Sequence, residues 1–223
     1  MHAKLQFAHA WLLKGPLGVP GLCDIVADYA KHFLPDFRHG SKILMLGSEK
    51  QDRVTLLKDV LHRRRHRYTY GEAVTPIKNH QLCFAKVYSS VSILANFLDD
   101  RKEKSVWVGH ELLQAETTTQ PLRKLAMNAL NLGVDFFLTA HSVSQVDSFI
   151  LRNMDVIFVC DASTRQHRLK MFEHFFHRAY ENLEKFEADL GIATQNGGCL
   201  CLDRWNSQTY HYTADPTIPN FLI

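Results

Sequence analysis

An α/β fold, with helices on both faces of a mostly parallel sheet, is the class this sequence predicts, and three observations predict it. Short apolar runs of strand length alternate with stretches of helical periodicity between residues 42 and 160. That alternation repeats as four successive strand-to-helix steps. The last sixty residues break the pattern and add two short strands around Asn206-Ser207, which read as an antiparallel hairpin on the sheet edge.

Taken in order, residues 42–46 (Lys-Ile-Leu-Met-Leu) form the first strand and feed a loop at Gly47, with a helix from about Asp52 to His66. A second extended piece spans Arg67 to Tyr70 and stops at Gly71. Thr75-Pro76 marks a loop, Leu82 to Val87 reads as either a strand or a helix start, and Val91, Leu94, Ala95 and Leu98 recur at helical spacing. Val106-Trp107-Val108 is a short buried strand ending in Gly109-His110-Glu111. The next helix carries Leu122, Leu125, Ala126, Ala129 and Leu130 on one face and stops at Asn131-Leu132-Gly133. Val134 to Ala140 is another buried strand, ending in His141-Ser142-Val143-Ser144-Gln145. A short helix with Val146, Phe149 and Ile150 leads to a strand from Met154 to Cys160. Leu169, Phe172, Phe176, Ala179, Leu183, Phe186 and Leu190 then predict one long amphipathic helix, whose aromatic stripe serves as core or as a partner surface. Strands at Cys199–Leu202 and Thr209–Tyr212 close the chain.

The 223 residues, 46% apolar and 22% charged, suit one well-buried domain and exclude a disordered chain. Within it, 1–40 is expected to be an N-terminal extension, 41–161 the core, and 162–223 the long helix with the hairpin. Five cysteines include no C-x-x-C pair, and three lie in apolar strand-like runs, as reduced core thiols do. No basic segment leads into a long apolar stretch at the start, and no run reaches the length of a membrane span. The expectation is an intracellular protein, neither secreted nor membrane-inserted.

Net charge is only +3, but positive residues concentrate at His62-Arg63-Arg64-Arg65-His66-Arg67. Cations gather at helix C-termini because the macrodipole favours them, which accounts for the block structurally. The alternative is phosphate contact with DNA through Arg63, Arg64 and Arg65.

The loop after the first strand has the frame of a phosphate-binding loop with its chemistry exchanged. A G-x-x-x-x-G-K-[ST] motif lets backbone N–H groups wrap phosphates while lysine and a hydroxyl hold charge and Mg²⁺. Gly47 fits the first position. Asp52 stands at the second glycine, Arg53 at the lysine, and Val54 at the hydroxyl with Thr55 one place late. Candidate nucleotide contacts are therefore Gly47, Ser48, Lys50, Arg53 and Thr55. Asp52 would set negative charge beside the phosphates, and a forked guanidinium does not replace lysine in a tight cradle.

The succession of the Gly47 loop, Gly109-His110-Glu111, Leu122-Arg123-Lys124-Leu125, Phe137-Leu138-Thr139-Ala140-His141-Ser142-Val143-Ser144-Gln145 and Leu151-Arg152-Asn153-Met154-Asp155 resembles the genome-packaging ATPases of large double-stranded DNA viruses, in the FtsK/HerA branch of P-loop ATPases. Cys199-Leu200-Cys201-Leu202-Asp203 and Tyr210-His211-Tyr212-Thr213-Ala214-Asp215 resemble the C-terminal hairpin of the poxvirus-type members. The resemblance covers about residues 40 to 215. It implies a P-loop NTPase fold of the ASCE/RecA-like kind, a three-layer sandwich whose mostly parallel sheet carries a C-terminal antiparallel hairpin. It implies ATP and Mg²⁺ as ligands of a weakened site and no resident metal otherwise. Double-stranded DNA, and a ring of copies or a mixed assembly with packaging or capsid proteins, are the implied partners. The implied location is the infected cell, in virus factory, nucleus or virion.

Carried over residue by residue, the resemblance gives Glu111 the water-activating carboxylate, Gln145 the polar sensor beside the loop, and Arg152 the arginine that reaches a neighbouring subunit's nucleotide. The imidazole of His110 is a poor ligand for Mg²⁺, which prefers oxygen. Each has a structural alternative: His110 and Glu111 as a strand end, Gln145 as a helix-cap residue, Arg152 as surface. Two functions follow, a packaging ATPase homologue with an inactive nucleotide site, or an active DNA translocase using Arg53, Glu111 and Gln145 with a partner subunit. A nucleoside kinase of the P-loop type is a weaker third.

Overall fold

Eight strands form one sheet in the order β3-β2-β4-β5-β1-β6-β7-β8. The computed structural model describes residues 37–47, 50–77, 83–99, 104–112, 114–219 and 221–223, and the backbone alone for 50–52. The chain divides into residues 1–33 and 34–223, and the described residues all belong to the second unit. Of the sequence-predicted positions, Ser48 and the side chains of Lys50 and Asp52 lie outside the described residues.

β1 (Lys42–Leu46), β4 (Ser105–His110), β5 (Val134–Ala140) and β6 (Val156–Val159) are buried along their whole length. They pair in parallel, as strands covered on both faces do. β2 (Tyr70–Val74) and the two-residue β3 (Val87–Tyr88) extend the parallel part, while β7 (Gly198–Asp203) and β8 (Gln208–Thr213) form the antiparallel hairpin on the other side.

The sheet separates two apolar layers. On one face α1 (Lys50–Arg64) sets Leu56, Leu57, Val60 and Leu61 against Ile43, Met45, Phe158 and Tyr212. On the other face lie α2 (Leu94–Asp99), α4 (Gln120–Leu132), α5 (Ser148–Asn153), α6 (Arg165–Met171) and α7 (Leu183–Ala193), packed on Leu44, Leu46, Trp107 and Leu138. The single turn α3 (Gln114–Thr117) precedes α4. The result is the three-layer sandwich with an edge hairpin that the sequence predicts.

Several local expectations are corrected. The second strand does not stop at Gly71 but runs through it to Val74, and a Cβ at Gly71 would lie 2.7 Å from the Phe84 side chain and 2.9 Å from those of Val106 and Ile223. Glycine marks a close approach of neighbours, not a turn. The helix expected to reach His66 ends as α-helix at Arg64, and Arg65–Arg67 form a 3₁₀ turn, so Arg67 is not extended as expected. Leu130 is 51% exposed, off the buried face of α4. The long amphipathic helix is two helices: α6 passes into a π-turn at Phe172–Phe176, and the Asn182 side chain accepts the Lys185 N–H to start α7 afresh. Its stripe splits accordingly, with Phe176 and Phe186 fully buried and Leu169 39% exposed. Phe37, within the stretch expected as an N-terminal extension, is buried against the core (4% exposed). Among the described residues, no helix is long and apolar enough to cross a membrane.

Candidate functional site

The parallel strands β1, β4, β5 and β6 bring their C-terminal ends to one edge of the sheet, and that edge gathers the Gly47 loop, His110-Glu111, His141–Gln145 and Asp161. Gly47 sits between the tips of β5 and β6. Its N–H points to the Ala140 carbonyl at 3.4 Å, and a Cβ would meet Cys160 Cβ at 3.1 Å and the Asp161 nitrogen at 3.2 Å. A side chain there would be tightly packed against the end of β6. α1 begins at Lys50, so positions 50–54 of the eight-residue frame are already helical.

Arg53, on the first turns of α1, is 1% exposed. Its Nε donates to Glu111 Oε1 at 2.9 Å, and its Nη2 reaches the same oxygen at 2.7 Å. The residue in the lysine position thus holds the residue in the water-activating position. Glu111 lies just past β4 in the left-handed region (φ 54°), and its N–H bonds to Thr139 Oγ1 and to the Thr139 carbonyl, both at 3.2 Å. Thr139 Oγ1 lies 2.7 Å from His110 Nδ1 and 3.4 Å from Glu111 Oε1, so one hydroxyl ties the tip of β4 to β5. His110 is fully buried, in line with β4 and not at the surface.

Gln145 is near this edge, but its amide oxygen accepts the backbone N–H groups of His141 (2.8 Å) and Ser142 (3.3 Å). The acceptor that would orient a water is spent on capping the strand end. Thr55 is half-buried on α1. Arg152 lies elsewhere: exposed in the last turn of α5, it adjoins the start of β6, the opposite edge of the sheet from Gly47. It does not reach the loop of its own chain.

The basic block divides. Arg64 is buried (3% exposed), donating to Asp135 Oδ2 at 2.6 Å, the Phe37 carbonyl at 3.0 Å and Tyr68 Oη at 3.1 Å. As a DNA contact it is corrected by its burial, since the guanidinium is consumed inside the fold. Arg63 pairs with Asp59 at 2.8 Å, and Arg65 is exposed. Both line an open cleft of about 490 Å³ with His62, His66, Asp215 and Thr217.

What this edge can do chemically follows from its donor set. Oxygen ligands suit Mg²⁺, yet the Glu111 carboxylate is neutralised by Arg53. Polyphosphate needs free inward N–H groups and mobile positive charge, yet Arg53 is committed, with only Nη1 lacking a hydrogen-bond partner among the described residues. Among the described residues, this edge offers a nucleotide neither an uncommitted guanidinium at position 53 nor an unpaired carboxylate at position 111. The Arg53–Glu111 pair joins positions 58 apart and carried no spacing signal; the link through Thr139 was also unread, although both residues stood in the quoted motifs.

With β5 between β1 and β4, Gly47 at the tip of β1 and the Glu111 carboxylate just past β4 lie at the same edge of the sheet, on either side of β5. Among solved structures, the chain is similar to the genome-packaging NTPase B204 of Sulfolobus turreted icosahedral virus 2 in complex with AMP (TM-score 0.61, 11% identity, covering 82% of this chain and 100% of that one). The same protein in complex with ATP-gammaS gives 0.59 at 12% identity, covering 80% and 100%. B204 of Sulfolobus turreted icosahedral virus, described as the DNA-packaging ATPase, gives 0.59 at 11% identity with the same coverage. The fold is the P-loop NTPase-like fold of B204. No protein-family model matches the sequence, and no curated protein is significantly similar to it.

Proposed function

We propose that this chain is a viral DNA-packaging ATPase homologue that acts in genome encapsidation with a nucleotide site that no longer turns over ATP. One observation carries the reading: the cation at the lysine position and the carboxylate at the water-activating position neutralise each other in a buried pair. Catalysis of phosphoryl transfer rests on charge held ready for the transition state. Here that charge is spent on the protein itself. The fold shared with B204, solved with AMP and ATP-gammaS, supports descent of the edge from a nucleotide site. Double-stranded DNA is the proposed partner, in a ring of copies or a mixed assembly with capsid proteins, within the infected cell. Arg152 retains a role only toward a neighbouring subunit, given its distance from its own loop.

Thermal melting of the full chain with millimolar Mg²⁺-ATP tests the site. A nucleotide at a hundred times its dissociation constant adds about 2.7 kcal/mol, or roughly 5 to 10 °C for a domain of this size. The expected shift is below about 1 °C. A shift of several degrees, with hydrolysis abolished by Glu111→Gln, would establish the active translocase instead.

The DNA face has its own expected result. Joint replacement Arg63→Ala with Arg65→Ala should weaken duplex binding and reduce the salt slope by about 2; it should also lower the melting temperature, because Arg63 is the ion-pair partner of the fully buried Asp59, so binding is compared well below the variant's melting point. An unchanged slope removes these two residues from the DNA surface.

A further inference from the structure

The edge of the sheet opposite Gly47 carries a second constellation. The β7–β8 hairpin turns there through Arg204-Trp205-Asn206-Ser207, and all four residues are exposed. Trp205 is 56% exposed, a large indole held in solvent. It is held firmly: Asp203 Oδ1 accepts the Trp205 N–H at 2.9 Å and the Asn206 N–H at 3.3 Å, and Asp203 Oδ2 accepts Asn206 Nδ2 at 2.6 Å. The Arg38 guanidinium lies 5.2 Å from the indole centroid. Arg204 anchors the turn by donating to the carbonyls of Met154 (2.7 Å) and Arg152 (3.1 Å). Burial lowers the Arg204 pKa, and Arg178 is close enough to lower it further against the pull of Asp155.

Charge at this tip is not balanced. Among the described residues, neither Arg38, Arg178 nor Arg204 makes an ion pair, whereas Asp155 is taken by Lys42 at 3.2 Å and Asp203 by the turn itself. An exposed indole with the Arg38 guanidinium at its ring and the exposed Arg178 near the same turn matches unpaired nucleotides, which offer a base to stack and a phosphate to neutralise. Duplex DNA offers phosphates but hides its base faces. We propose that the hairpin tip, with Trp205 as stacking platform, Arg38 and Arg178 as its cationic rim and Arg204 as the anchor that holds the turn, is a binding site for single-stranded nucleic acid. The site lies at the far edge from the Gly47 loop, so it stands whether or not that loop uses nucleotide.

Fluorescence anisotropy of the full chain with a labelled dT 20-mer and a 20-base-pair duplex tests it. The 20-mer should bind, Trp205→Ala should weaken it about 10-fold or more, and Trp205→Phe should recover most of the loss. Joint Arg38→Ala and Arg178→Ala should lower the single-strand salt slope by about 1.4. Duplex affinity should be unchanged by Trp205→Ala. The side chain is exposed, so melting of that variant should match the parent and separates lost binding from lost folding. Absent binding of the 20-mer, equal affinity of parent and Trp205→Ala, or equal losses on single strand and duplex would each overturn the proposal. So would a Trp205-dependent self-association without oligonucleotide binding.

Discussion

Replacing Glu111 by alanine is expected to destabilise the fold by about 3 to 5 kcal/mol, because it strands the Arg53 guanidinium as a buried charge. The two side chains are 2% and 14% exposed, and both short contacts of Arg53 end on one carboxylate oxygen. Water cannot easily replace the lost partner. Removing both charges is a different experiment: Arg53→Met with Glu111→Leu exchanges the pair for apolar volume, and such exchanges are often neutral or stabilising. The double variant should therefore be far more stable than the sum of the single changes, and a double-mutant cycle from urea unfolding measures the coupling. A Glu111→Ala loss below about 0.5 kcal/mol, the level of an ordinary surface change, would show that the pair is not formed in solution.

This result bears on function as well as on folding. A catalytic carboxylate is normally retained at a cost to stability, whereas one that holds the fold together has been reassigned. If Glu111 behaves as a structural residue, the edge that other P-loop folds keep open for phosphate has been closed by the chain's own arginine. The nearby Gln145 points the same way, since its oxygen caps the strand end at His141 and Ser142.

Much of this architecture was legible because the central strands are buried on both faces, which leaves nearly continuous apolar runs at 42–46, 106–108, 134–140 and 156–159. β2 was harder to read. Its Gly71-Glu72 pair looks like a turn, yet Gly71 is needed for space and the buried Glu72 accepts from the Tyr70 and Tyr88 hydroxyls. The break between α6 and α7 was hidden because apolar spacing continues through Phe176, Ala179 and Leu183 while the backbone does not; Asn182 was the available cap signal. In the basic block, Arg64 continues the buried stripe of Leu57, Val60 and Leu61 at helical spacing, whereas Arg63 and Arg65 flank it. That distinction was present in the sequence and was obscured by three identical neighbours. The Arg53–Glu111 pair was not readable by any local rule, because only the sheet order brings those positions together.

Asp135 shows why Arg64 is unavailable to DNA, and it sets the second large expectation. The carboxylate is fully buried at the start of β5, where it accepts the Gly40 N–H at 2.6 Å, the Ser41 N–H at 3.3 Å, the Tyr68 hydroxyl at 2.7 Å and Arg64 at 2.6 Å. His39 Nδ1 lies 3.5 Å away. Burial pushes its pKa up, but the contacts with His39, Arg64 and Tyr68 outweigh burial and hold it below the usual carboxylate value. A carboxyl whose folded pKa is depressed contributes stability that is complete above its unfolded pKa, near 3.9, and is lost as pH falls through the folded value. Asp135→Asn removes that charge and leaves Arg64 buried without a counter-ion, so a deficit of about 3 kcal/mol is expected near neutral pH. Urea midpoints should show the deficit constant between about pH 7 and 5 and narrowing below about pH 4 as the parent also becomes protonated. A deficit that widens as pH falls from 7 toward 4 and then levels off would mean that the native carboxyl takes up its proton above the unfolded value, and the Arg64 anchor would have to be sought in the Phe37 carbonyl and Tyr68 instead.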